Sequence, residues 1–239
     1  MRNLILLIIS CWLLAPASAQ INEAFKKVTR EIGRTDLSAE DIGAGLKEAL
    51  LKGVKNGSDK AAAVDGFFRN PAIKIPFPRD AKKAADALKN IGMEKEIKNF
   101  VKTLNRSAEM AAGEAKPIFV DAIKEMSIED AWGILNGNDN QGATNYLKES
   151  TSDKLFEKMS PIVSRALEST DATKYYRDLI KRYNKIPFVK KKNADLSEYA
   201  TQKTLDGLFY LVGEEEEKIR ENPAARTSDI LRRVFNTQD

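Results

Sequence analysis

Over residues 94–124, apolar side chains return at intervals of three and four: Ile97, Phe100, Val101, Leu104, Ala108 and Ala111, then Ile118, Phe119, Ala122 and Ile123. A helix with 3.6 residues per turn places such positions on one face, whereas a half-buried strand needs strict alternation. The same spacing links Ile42, Leu46, Leu50 and Val54 near one end, and Leu205, Leu208, Phe209 and Val212 near the other. The chain is therefore read as all-α: an irregular multi-helix bundle whose core is made by helix faces.

Local signals divide the pattern into elements. Ser38 followed three residues later by Asp41 is a capping-box start, and Asn56-Gly57 reads as the stop of that first helix. A second, alanine-rich helix follows Pro78 and ends at Gly92. Gly113 and Pro117 predict a kink or break in the next helix. Ser127, with Asp130 as its reciprocal partner, opens a short helix closed by Asn136-Gly137. Helices are then expected over 142–149, 152–168 (disturbed by Pro161), 171–184 and 196–221. Asn222-Pro223 pairs an N-cap with proline at the first helical position, and Thr227 starts a last turn or two.

Two stretches resist this pattern. The tetrapeptide KIPF occurs at residues 74–77 and again at 185–188. Proline fixes its own φ, lacks an N–H and drives the preceding residue out of the helical region. Pro71, Pro76 and Pro78 thus forbid helix over residues 70–77, and Pro187 does so for Lys185-Ile186. Ile73, Ile75 and Phe77 alternate with Lys74 and Pro76, giving an extended strip with one apolar side. We expect the two strips to be buried, proline-containing connectors, able to pair as a minimal two-stranded ribbon. Duplication is a poor account, because Asp65-Gly66-Phe67-Phe68 precedes the first copy whereas Asp206-Gly207-Leu208-Phe209 follows the second.

The amino terminus carries a different signal. A basic start, an apolar run over residues 4–14 and the A-x-A site Ala17-Ser18-Ala19 form the pattern of a secretory leader cut before Gln20. The run is shorter than the roughly 20 residues a membrane-spanning helix needs. The expectation is an exported, periplasmic chain with residues 1–19 removed, residues 20–36 loosely ordered and residues 37–239 forming a single helical domain. Lipid anchoring through Cys11 is the alternative.

Cys11 is the only cysteine, and the chain has no histidine. Cys–His and Ser–His–Asp nucleophiles, and zinc sites built from thiolate and imidazole, are excluded in the processed chain. No GxxxxGK loop and no GxGxxG after a strand is present. With 39 basic against 35 acidic residues, a net charge of +4 does not mark a nucleic-acid binder.

The strings DGFFRNPAIKIPFP, AKPIFVDAIKEMSIEDAWGILNG, TLDGLF and EEEEKIRENPAARTSDILRRVF resemble the exported bacterial domain-of-unknown-function family four-one-nine-seven, across residues 37–235. The resemblance implies a bacterial envelope location and one domain over the whole processed chain. It supplies no activity, cofactor or catalytic residue.

Candidate sites read mostly as architecture. Residues 136–140 are rich in oxygen ligands but place Gln141 and Leu147 where a calcium loop needs glycine and glutamate, so a helix end and turn are expected. Residues 214–217, four glutamates in a row, read as a solvated helical face with Glu214–Lys218 and Glu216–Arg220 pairs. Lys190, Lys191 and Lys192 read as a solvated connector that could meet phosphate or lipid headgroups. Asp121 and Glu125 share a face, and Tyr175, Tyr176 and Tyr183 lie near Arg177 and Arg182, but spacing alone builds no acid–base pair. Ser107, Ala108, Ala111, Ala112 and Ala115 form a small-residue stripe suited to close helix approach.

The remaining signal is apolar. Phe67, Phe68, Ile73, Ile75 and Phe77 crowd one irregular segment, and Phe188 and Val189 the other. These seven residues are the expected lining of a groove for an apolar small molecule or an envelope partner protein. No catalytic residue, metal ligand or cofactor is assigned. A carboxylate-based hydrolase of envelope polymers, or a purely structural envelope factor, are the alternatives.

Overall fold

The Ser38 hydroxyl accepts from the Asp41 N–H at 3.1 Å while the Asp41 carboxylate accepts from the Ser38 N–H, so the first helix starts where its capping box puts it. The computed structural model describes residues 37–129 and 131–238. The expected leader, its Cys11 alternative, the 20–36 segment and the Asp130 cap lie outside the described residues.

Eight α-helices are present among the described residues: α1 Ala39–Ala62, α2 Lys82–Asn90, α3 Glu94–Glu125, α4 Ala131–Asn136, α5 Gly142–Ser169, α6 Ala172–Tyr183, α7 Ser197–Glu221 and α8 Asp229–Phe235. Single 3₁₀ turns sit at Arg79–Ala81, Pro223–Ala225 and Asn236–Gln238. These helices belong to one compact unit. Its centre is a ring of four: α1 packs on α3, α3 on α5, α5 on α7, and α7 back on α1. Helix α8 covers α1, while α6 covers α3 and α5 and carries α2.

Several expected breaks are absent, each for a packing reason. Helix α1 runs past Asn56-Gly57 because Gly57 faces α7: a Cβ there would lie 3.1 Å from the Leu211 Cβ. The glycine serves close approach, not termination. At Gly92 the expected stop does occur, with φ at +84°, a value only glycine adopts at little cost.

Helix α3 is continuous for 32 residues through Gly113 and Pro117. An internal proline costs about 3 kcal/mol. Ala111, Ala112 and Ala115 before it, and Phe119, Ala122 and Ile123 after it, bury the same face. Phe119 alone meets Phe209 edge-on at 5.3 Å, and burying one such ring is worth about 1.5–3 kcal/mol. Helix α5 likewise joins the two segments expected on either side of residue 150 and continues through Pro161. Its buried face runs unbroken through the junction, with Leu147, Thr151, Leu155 and Met159 four residues apart, and the hydroxyls of Ser150, Thr151 and Ser152 are satisfied by the carbonyls of Tyr146, Leu147 and Lys148. Ahead of α4, which is described from Ala131, the Ser127 carbonyl accepts from the Tyr146 hydroxyl at 2.8 Å.

No strand is present among the described residues, so the two KIPF copies do not form a ribbon. They also differ in burial. Ile75 and Phe77 of the first are buried and half-buried, while Ile186 and Phe188 of the second are half-buried and fully exposed.

The run of four glutamates is the largest departure from expectation. Glu214 and Glu217 lie toward the surface, but Glu215 and Glu216 are buried. Glu216 accepts from the N–H groups of Ala143 and Thr144, the first turn of α5, at 3.0 and 2.7 Å, and from the Thr144 hydroxyl at 2.7 Å. Arg220 donates to Glu216 at 2.8 Å and to the carbonyls of Leu135 and Ile134, which end α4. One buried ion pair therefore caps one helix start and one helix end at once. Arg226, also buried, donates to the carbonyls of Ile219 and Arg220 at the end of α7.

Candidate functional site

Residues 63–78 contain neither helix nor strand; local turns satisfy part of their backbone, and side chains of α3 satisfy it at Phe67, Phe68 and Ile75. Asn105, fully buried, accepts from the Ile75 N–H at 2.8 Å and donates to the Ile75 carbonyl at 2.8 Å. Two directly opposed strand residues exchange the same two bonds. One helical turn along, the buried carboxylate of Glu109 accepts from the N–H groups of Phe67 and Phe68 at 3.2 and 3.1 Å. Arg106 spans Glu109 and Asp65, and Asp65 makes the turn into the segment with φ at 69°. The first KIPF copy is thus held extended by a helix.

This arrangement leaves a cleft on each side of the strip. One, of about 720 Å³, is walled by Phe68, Pro71, Phe77, Ile97 and Val101, with Lys74, Lys89, Glu94 and Lys98 at its rim. Lys98 is paired with Glu94 at 2.8 Å, and the Lys74 ammonium sits 4.4 Å from the centre of the Phe68 ring. Phe77 closes the floor in an aromatic cluster, 5.2 Å from Phe100 and 5.8 Å from Tyr176, which stack at 5.1 Å. Burial pushes the Tyr176 hydroxyl up to about 12, so it stays protonated and neutral.

The second cleft, also of about 720 Å³, is the more polar of the two. Arg79, Asp80, Tyr199, Lys203, Asp206 and Tyr210 line it, and Lys74 and Pro76 border both clefts. Tyr199 donates to the Pro76 carbonyl at 3.0 Å, fixing the strip from this side. Burial opposes ionisation of Asp206, but bonds from Lys203 and Gln202, with the nearby charge of Lys148, outweigh it and hold the carboxyl below its usual range.

The seven residues expected to line a groove are divided by the structure. Phe68 and Phe77 wall the apolar cleft, and Ile73 borders the more polar one. Phe67 and Ile75 are buried in the core and border neither cleft. Phe188 is fully exposed and Val189 half-buried, and neither borders either cleft.

A family model described as "Protein of unknown function (DUF4197)" matches residues 36–236. The chain belongs to the DUF4197 family. No curated protein and no solved structure matches it.

Elsewhere in this DUF4197 chain the other candidates resolve as architecture. Asp139 accepts from the Gln141 N–H and from Asn145, which organises the turn into α5. Glu125 is exposed and paired with Lys154, and Asp121 is exposed. Tyr176 and Tyr183 are core residues, whereas Tyr175 is exposed. The small-residue stripe of α3 is buried throughout, and its Ser107 hydroxyl meets that of Thr170 at 2.6 Å. Among the described residues no group of three or more acidic, histidine or cysteine side chains is placed to hold a metal. No described helix is long and apolar enough to cross a membrane.

Sequence reasoning missed Asn105, Arg106, Glu109 and Tyr199. The signal was present in α3, where Asn105 and Glu109 lie four residues apart beside the buried Leu104 and Ala108. Polar residues on a buried face must have partners, and the helix-free segment was the part of the chain in need of them.

Proposed function

We propose that this DUF4197 chain is an exported, non-catalytic binding protein whose apolar cleft takes a small hydrophobic molecule. The observation that carries the reading is the cleft itself: about 720 Å³ walled by Phe68, Pro71, Phe77, Ile97 and Val101. That size falls within the roughly 300–1,000 Å³ typical of small-molecule sites. Its wall is fixed before any ligand arrives, because Asn105 and Glu109 hold the strip by its backbone. A preformed site loses less ordering entropy on binding.

Export rests on the leader pattern at residues 1–19, and envelope placement on that same signal. The hydrolase alternative draws no support from Asp206, since a general acid needs its carboxyl raised and this one is lowered.

Native mass spectrometry of the protein isolated from its own envelope, before and after organic extraction, tests the reading. A reproducible small-molecule adduct that extraction removes is expected. A ligand-free protein that cleaves cell-wall fragments, and stops doing so in Asp206→Asn, would replace binding with hydrolysis.

A further inference from the structure

Phe188 is the most exposed large apolar side chain among the described residues, at 108 % relative accessibility. It also adopts φ of 63°, the left-handed region, which an aromatic residue enters only at a cost of roughly 1–3 kcal/mol. The cost is met by a clasp. Asn184 at the end of α6 donates to the Lys192 carbonyl at 3.0 Å and accepts from the Lys192 N–H at 2.9 Å, closing residues 184–192 into a loop with Phe188 near its middle. Twelve residues, 181–192, carry six cations (Lys181, Arg182, Lys185, Lys190, Lys191 and Lys192) and no carboxylate. The flanking acids are Asp178, which lines a small surface hollow with Lys181, Arg182 and Lys185, and Asp195, which accepts from the Ser197 N–H.

A lone exposed aromatic is ordinary. One held outward on a pinned loop amid cations has the make-up of an interfacial anchor, in which basic side chains approach anionic headgroups and an aromatic ring enters the headgroup layer. We infer that this loop docks the protein on an anionic lipid surface, with Phe188 inserted and the surrounding lysines and arginine paired to headgroup phosphates. This surface is separate from the apolar cleft, and neither proposal depends on the other.

The test is co-sedimentation of the full chain with phosphatidylcholine vesicles, alone or with about one phosphatidylglycerol in three, at low ionic strength. The wild type is expected to bind the anionic vesicles and to be released by salt. Replacing Lys190, Lys191 and Lys192 together by Gln should weaken binding about a hundredfold, from roughly fivefold per lysine, and Phe188→Ser about tenfold. Residues 1–36 are common to all these proteins, so the differences report the loop. A nitroxide at position 188 (Phe188→Cys in a Cys11→Ser background) should lose contact with an aqueous relaxing agent only on anionic vesicles. Equal vesicle binding by the wild type and both variants, or a nitroxide equally accessible with and without vesicles, would overturn the inference. So would loss of single-stranded nucleic acid binding in the lysine variant with vesicle binding unchanged.

Discussion

The carboxamide of Asn105 is matched to the backbone of Ile75 as a neighbouring strand would be, one bond accepted and one donated, each at 2.8 Å. This single side chain explains how a proline-locked extended strip persists inside an all-helical protein: its buried polar groups are satisfied without a second strand.

Asn105→Ala removes that match and leaves the Ile75 N–H and carbonyl unpaired in the core. A loss of about 3 kcal/mol is expected, since each stranded buried polar group costs roughly 1–3 kcal/mol. Urea unfolding measures it. A loss below about 1 kcal/mol would mean the strip finds other partners.

The buried Glu216–Arg220 pair should behave asymmetrically. Arg220→Met strands a buried carboxylate and is expected to cost about 3 kcal/mol or more. Adding Glu216→Gln removes the stranded charge and should recover part of that loss. Recovery stays incomplete, because the amide oxygen cannot serve the N–H groups of Ala143 and Thr144 as well as two carboxylate oxygens do. Comparing unfolding free energies of the single and double variants reads the difference.

Two glycine substitutions should have opposite signs. A Cβ on Gly207 would fall 2.6 Å from Phe67 Cε1 and 3.2 Å from Ile73 Cβ, so Gly207→Ala must displace that buried ring. The expected cost is about 1–3 kcal/mol. Gly43, inside α1, has nothing within 4 Å of the same position, and Gly43→Ala should stabilise by up to about 1 kcal/mol. Thermal melts of the two variants decide.

Glu215 gives the fold an acid-sensitive contact. Burial raises its pKa, but bonds from Lys218, Lys60 and Asn56 outweigh burial and lower it from 4.5 to about 2. A carboxyl depressed on folding contributes stability that is fully present above its unfolded pKa and is lost as pH falls through the folded one. Between about pH 5 and pH 2 the wild type should therefore lose more stability than Glu215→Gln, and the two unfolding curves should converge toward the acid end. Parallel curves across that window would show that the contact adds nothing.

How much was legible in the sequence follows from what each signal encodes. Ser38 and Asp41 act on their own backbone, so the capping box was readable and is present. Helical periodicity was readable because it repeats. Gly57 was misread because a glycine that ends a helix and one that admits Leu211 look alike until α7 is in place. The four glutamates were misread for the same reason. Their spacing to Lys218 and Arg220 shows which residues share a face, but only the packing of α7 against α1 and α5 shows that Glu215 turns toward the first and Glu216 toward the second. Of the candidate site, the apolar strip and Phe68 with Phe77 were legible. That α3 holds the strip was not, because the contact spans about 30 residues and depends on tertiary placement. The two KIPF copies, identical as strings, diverge because only the first runs alongside a helix offering Asn105 and Glu109.

The cleft's capacity to bind is tested most directly by titrating an apolar fluorescent probe into the wild type and into Val101→Trp, which fills the cleft from a half-buried position on α3. The account predicts saturable, one-to-one binding to the wild type and a loss of about tenfold or more in the variant, with an unchanged melting temperature. Equal affinity in the two proteins, or no saturable binding to the wild type, would contradict it.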